Sequence, residues 1–251
     1  PLSAGSGEYL LWEHPMTFWL EEQGYDVAYC SNFDVHLDPT ILDRCSVFLS
    51  VAHDEYWTRD MFEAVLNARD DGMSIAFLSG NSVYEEITMY DSGVTGTPCR
   101  AYARKGRIAD ADQLMGLSSY GSACGDWVVT DAAHWVYEGT GLRDGSRIPG
   151  LIGWEYHGTP ADIPGIEVVA ESGLYPQPDN PEYTHSAVVF PCAKGNMVFN
   201  AGTIWWPEGL ACPPGHVPAR TGRSGPQGVH PAVQQITSNV LDRMIRESPR
   251  R

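Results

Sequence analysis

The chain has 251 residues, 43% of them hydrophobic, and carries 32 carboxylates against 16 lysines and arginines for a formal charge of -16. A chain of that size and composition buries a sizeable core in one large domain, while its negative excess repels phosphate backbones and anionic lipid surfaces. No apolar run approaches the roughly 18 residues of a membrane span, and the segment from Pro1 lacks the basic and apolar blocks of a signal peptide. Nucleic acid and membrane are therefore not expected as partners, and the compartment stays open with the cytoplasm favoured.

From Trp12 to Gln23 the apolar residues recur at helical spacing, and Gly24 supplies a stop. A strand is expected over Tyr25 to Tyr29. Ser46 to Ala52 is a continuous apolar run of the kind buried on both faces of a parallel sheet. A helix follows from Thr58 or Arg59 to Asp71, with Thr58 as its cap, then a strand from Ser74 to Leu78. This alternation predicts an α/β domain with a mostly parallel sheet. Such a domain opens on a strand, so a first strand upstream of Pro1 is expected, with the chain a fragment of a longer protein or of a two-chain assembly.

Beyond Ser82 the pattern breaks into short segments separated by Gly, Pro and Asp. Strands are expected at Trp127 to Thr130, Gly150 to Trp154, Glu167 to Ala170, Ala187 to Pro191 and Asn196 to Asn200. A loop from Pro207 to Gly228, long enough to be a lid or a disordered stretch, leads to a closing helix from Pro231 to Glu247. Six scattered cysteines lack any CxxC pair, which excludes a zinc ribbon. Cys30 and Cys45 read as buried thiols, whereas Cys99, Cys124 and Cys212 fall in loops where a disulfide can form.

Three strand ends carry chemistry. His53-Asp54-Glu55-Tyr56-Trp57 follows the strand from Ser46 to Ala52, at the sheet edge where open α/β sheets bind ligands. The strand from Ser74 runs into Gly80-Asn81-Ser82-Val83-Tyr84, where Gly80 permits a close backbone approach and Asn81 offers an amide. The third, Gly153-Trp154-Glu155-Tyr156-His157, again ends in a carboxylate and an imidazole. Plainer readings stand beside these: Asp54 or Glu55 as a helix cap, Asn81 as a cap, the tyrosines as packing aromatics, and His157 as a structural imidazole. The absence of a Gly-x-Ser-x-Gly elbow, a Gly-x-Gly-x-x-Gly turn and a P-loop removes support for serine hydrolases, dinucleotide enzymes and NTPases.

Trp19-Leu20-Glu21, Gly24-Tyr25-Asp26-Val27, His53 to Trp57 and Gly80 to Tyr84 together resemble the C-terminal domain of the N,N-dimethylformamidase large (beta) subunit family. The resemblance continues through Leu151 to Glu155, Ala201 to Trp206 and Asn239 to Arg243, and departs from that pattern at Glu85-Glu86. It implies a three-layer, flavodoxin-like fold similar to class I glutamine amidotransferases, with an elaborated second half. It also implies a mononuclear, ferric iron held by Tyr56, Tyr84 and Glu155. Two phenolates and a carboxylate are hard anionic donors that suit ferric iron. The implied reaction is hydrolysis of the C–N bond of a small, formamide-like amide by an iron-activated water. His53, Glu55 and His157 are the candidates for proton transfer, with His53 first; Asn81 and Lys194 are candidates for stabilising the oxyanion. Assembly into an oligomer, with a second chain, is the matching expectation. The competing reading is a non-catalytic binding or structural module on the same fold.

Overall fold

The computed structural model describes residues 9–121, 123–217 and 228–250. In chain order the helices and strands are α1 (His14–Gln23), α2 (Asn32–Leu37), β1 (Val47–His53), β2 (Tyr56–Thr58), α3 (Arg59–Asp70), β3 (Ser74–Gly80), β4 (Glu85–Tyr90) and β5 (Ala101–Arg107). They continue as α4 (Ala111–Met115), β6 (Leu117–Gly121), β7 (Gly125–Val128), β8 (Arg147–Ile152), β9 (Glu155–Pro160), β10 (Glu167–Gly173), β11 (Thr184–Pro191), β12 (Met197–Asn200) and α5 (Pro231–Glu247).

The first half forms where its local chemistry directs it. Gly24 ends α1 in the left-handed region, φ 77°, and its N–H caps the carbonyls of Glu21 and Leu20. Thr58 accepts the Met61 N–H at 3.1 Å and starts α3, a cap of the kind whose loss costs about 1 kcal/mol. Strand β3 is buried along its whole length, as its unbroken apolar run requires. Its alternate residues feed two cores: Ile75 and Phe77 pack with Phe62 and Val65 of α3, and Ala76 and Leu78 pack with Met16 and Trp19 of α1 and Ile236 of α5.

The main sheet has five strands in the order β1-β3-β12-β11-β10. Only β1, β3 and β12 run parallel; β11 and β10 are antiparallel to their neighbours. Three further small sheets pair β2-β4-β5, β6-β9 and β7-β8. The expected three-layer, mostly parallel, glutamine amidotransferase-like sheet is therefore corrected to a mixed α/β fold with several small mixed sheets. The reason lies in the second half, where a tight turn at 192–195 folds β11 back on β12 and no helix intervenes to reverse the chain. Strands β9 and β7 then pack on β11 and β10, in positions a doubly wound fold would give to helices.

Other expectations are corrected locally. Tyr25 to Tyr29 forms no strand; Tyr25 instead stacks near Trp19, 5.8 Å between centroids, and donates to Asp242 of α5 at 2.9 Å. Cys30 is exposed and Cys99 buried, opposite to the reading from their neighbours, and the six cysteines carry free thiols. The proposed lid begins as core: Trp206–Gly209 is a buried 3-10 turn, and Glu208 pairs with the enclosed His216 at 2.7 Å. Residues 218–227 of that loop lie outside the described residues.

His185 on β11 is fully buried beside Trp127, its Nε2 donating to the Ala201 carbonyl at 3.0 Å. Burial lowers its pKa from the ordinary 6.5 to about 4. The neutral ring thus contributes stability above pH 6.5 that is lost as pH falls toward 4, because the unfolded chain binds the proton first. Urea unfolding at intervals from pH 7 to 5 is expected to show that decline, and His185→Gln is expected to flatten its slope at the cost of lower stability at pH 7.

Candidate active site

The site is built at the C-terminal end of β1. His53 closes that strand opposite Gly80 of β3, and the chain then turns through Asp54 and Glu55 into β2. Asp54 is the anchor of the turn. Its carboxylate accepts from Ser50 Oγ at 2.8 Å, Trp57 Nε1 at 2.9 Å and Asn32 Nδ2 at 3.1 Å. Burial pushes the Asp54 carboxyl above its usual range while these donors pull it back. With its bonding capacity used in this way, Asp54 fixes the loop and leaves the chemistry to its neighbours.

The segment after β3 is tied to the same turn. Val83 N–H donates to the Asp54 carbonyl at 3.0 Å, and the Tyr84 and Glu85 N–H groups donate to the Glu55 carbonyl at 3.0 and 2.9 Å. Asn81 and Val83 adopt positive φ, 53° and 51°, which bends the chain sharply enough to reach it. The third strand end arrives through β9. A Cβ on Gly80 would stand 2.3 Å from the Glu155 carbonyl oxygen, so only glycine lets β3 and β9 approach this closely.

These three strand ends converge. His53 Nε2 lies 3.4 Å from Glu155 Oε2 and 3.7 Å from Glu55 Oε2, and the three ligand atoms all fall within 4.8 Å of one another. The side chains are largely enclosed, with 17%, 13% and 8% exposure for His53, Glu55 and Glu155. One imidazole between two carboxylates concentrates negative charge where a cation or a proton in transit is stabilised.

Tyr56 flanks the cluster, and Tyr84 follows on the segment bonded to the Glu55 carbonyl; each phenol is held by an arginine. The Tyr56 ring lies 6.2 Å from His53, and its Oη accepts from the Arg104 guanidinium at 2.8 Å. Burial first, then the Glu55 carboxylate, raises the Tyr56 phenol to about 12. Tyr84 Oη accepts from Arg107 at 3.0 Å, with that guanidinium 4.5 Å from the ring centroid. Arg104 and Arg107 were not singled out from sequence; the signal was the basic run Arg104-Lys105-Gly106-Arg107 in a chain poor in cations.

The remaining candidates are placed elsewhere. His157 is fully buried with both ring nitrogens committed: Nε2 accepts the Ser82 N–H at 3.0 Å and Nδ1 donates to Asn200 Oδ1 at 2.8 Å. Its pKa is lowered to about 4 by burial, so it holds the Ser82 turn as a neutral ring. Lys194 lies at the opposite end of the sheet, where it bonds Asp71 at 2.6 Å in the turn before β3. Asn81 is buried directly beyond the Gly80–His53 pair, and its Oδ1 has no hydrogen-bond partner among the described residues.

Gly80→Ala tests the contact that brings the cluster together. The variant is expected to displace β9 from β3, lowering the thermal midpoint and the affinity for added divalent or ferric ions together. An unchanged midpoint with unchanged ion binding would show that the strands do not need this approach.

Comparison with curated proteins finds no match. Residues 1–221 match the family model described as N,N-dimethylformamidase beta subunit-like, C-terminal, a span that contains every residue of the cluster. The chain belongs to the N,N-dimethylformamidase beta subunit-like, C-terminal domain family.

Proposed function

We propose that this chain is the catalytic domain of an iron-dependent amide hydrolase that cleaves the C–N bond of a small, formamide-like substrate. The observation that carries the reading is the convergence of His53, Glu55 and Glu155 at the end of β1, beside Tyr56. Family membership supports a hydrolytic role.

The donor chemistry fits a hard cation. Glu155 supplies a carboxylate, and Tyr56 and Tyr84 supply phenol oxygens that accept from guanidinium groups; because burial and Glu55 hold the Tyr56 proton on, the cation itself has to displace it. Tyr56, Tyr84 and Glu155 would hold the iron, displacing the phenol protons on binding. When bound, the iron supplies Lewis acidity to the amide carbonyl and acidity to water.

The chain's own residues handle the protons. His53 Nε2 takes a proton from the attacking water, whose oxygen bonds to the acyl carbon. As the C–N bond breaks, that proton passes to the departing nitrogen, so the products are a carboxylic acid and an amine. Glu55, 3.7 Å from His53, steadies the imidazolium between the two transfers. Asn81 stands next to the pair with an amide group available to the substrate.

A second arrangement of the metal is favoured by the 4.8 Å convergence itself, in which His53, Glu55 and Glu155 are the ligands and the tyrosines line the site. Elemental analysis and visible spectroscopy separate the two. Under the first arrangement, iron-loaded protein is expected to show a tyrosinate charge-transfer band that Tyr56→Phe and Tyr84→Phe remove, and Glu155→Gln is expected to lower iron content and formate release at least tenfold. A colourless iron protein that loses its metal in His53→Ala would establish the second. Protein that neither binds iron nor releases formate or amine from small amides would leave the non-catalytic module.

A further inference from the structure

A cavity lined in part by Tyr56 lies near the site. It occupies about 350 Å³ between α2 and the β4–β5 hairpin, within the roughly 300–1,000 Å³ typical of small-molecule pockets. Its wall is mainly apolar. Ile87 and Cys99 are buried in its floor, Met89 is half-buried, and Phe33 and Tyr102 stand at its rim, 41% and 59% exposed.

The polar groups of the wall narrow the choice of ligand. Asn32 is already committed, its amide donating to Asp54 and to the Tyr56 carbonyl. Arg100 carries the only formal charge on the wall, and among the described residues it forms no ion pair. In a chain of charge -16 an unpaired guanidinium over an apolar cavity is a site for an anion attached to an apolar group. Tyr56 is shared: its ring lies 6.2 Å from that of His53, and it also lines the cavity.

We propose that this cavity binds the side group of the amide substrate, and that the substrate is an N-acyl compound bearing both an aromatic or branched apolar group and a carboxylate that pairs with Arg100. A molecule as small and neutral as dimethylformamide would leave most of the cavity empty and Arg100 unpaired. This inference rests on the hydrolase reading for the position of the scissile bond, but the binding it asserts is measured without turnover.

The test is a ligand-observed NMR or calorimetric titration of the full chain with N-formylphenylalanine, its methyl ester and dimethylformamide. Arg100→Gln and Ala101→Trp are titrated in parallel. Both positions are exposed where an edge strand begins, so neither variant is expected to shift the thermal midpoint, which is measured alongside. The acid is expected to bind at least tenfold more tightly than its ester, a difference of about 1.4 kcal/mol. Arg100→Gln is expected to erase that difference, and Ala101→Trp, which fills the cavity, to abolish binding of both. Equal binding of acid and ester, undiminished binding in Arg100→Gln, or no binding of either compound would overturn the inference. Selective binding of the acid without hydrolysis of any amide would uphold the cavity and remove the hydrolase reading; formate release from dimethylformamide with no preference for the acid would do the reverse.

Discussion

The close approach of β3 to β9 at Gly80 is the constraint on which the site depends. The parallel strands β1 and β3 deliver His53 and Gly80 side by side, but the third member of the cluster comes from a separate two-stranded sheet far along the chain. A side chain at position 80 would meet the Glu155 carbonyl at 2.3 Å and the Ile204 nitrogen at 2.6 Å. Because the glycine has no side chain, two sheets with different strand directions share one edge. Glu155 reaches His53 only across that edge.

Behind the edge, buried polar groups bonded to one another hold it in place. Asp54 gathers three donors, and His157 links the Ser82 turn to Asn200 at the end of β12. Thr203 continues the frame, donating to the Leu151 carbonyl at 2.7 Å and accepting the Gly153 N–H at 3.1 Å. Buried networks of this kind are costly to break, since removing one partner strands another in a medium that cannot solvate it. They fix loop backbones whose φ values a free chain would avoid, as at Asn81 and Val83. Reactive side chains on loops thereby gain the precision of a scaffold.

The sequence was most legible where one period dominates. Helix α5 occupies the segment from Pro231 to Glu247 that its helical spacing and Pro231 marked out, and β3 follows its unbroken apolar run. Strands β4 and β5 were not expected from sequence: they carry Glu85-Glu86 and Arg104-Lys105, and β5 is exposed at every residue, so burial never patterned it. Strand direction was misjudged for a related reason. Periodicity reveals which face of a strand is buried, but parallel and antiparallel neighbours are decided by connections and long-range pairing. The site was legible as three strand-end motifs, because position at a sheet edge is local information. A structural role for His157 stood among the sequence readings, but its partner Asn200, 43 residues away, and the Arg104 clamp on Tyr56, 48 residues away, are not local information and could not be read.

Net charge and local charge point in opposite directions here, and the difference matters for the chemistry. The chain as a whole is strongly acidic, yet Arg100, Arg104, Lys105 and Arg107 place four of its 16 basic side chains within eight residues. Arg104 bonds Tyr56 beside the carboxylate cluster, Arg107 bonds Tyr84, and Lys105 turns to Glu86 at 3.5 Å. Charges separated by more than about 8–10 Å are largely screened at physiological ionic strength, so the local band outweighs the distant excess at the site. A carboxylate cluster and a guanidinium band on adjoining walls create a steep field across a short distance. A polar group placed between such walls is oriented by the field rather than by contact alone.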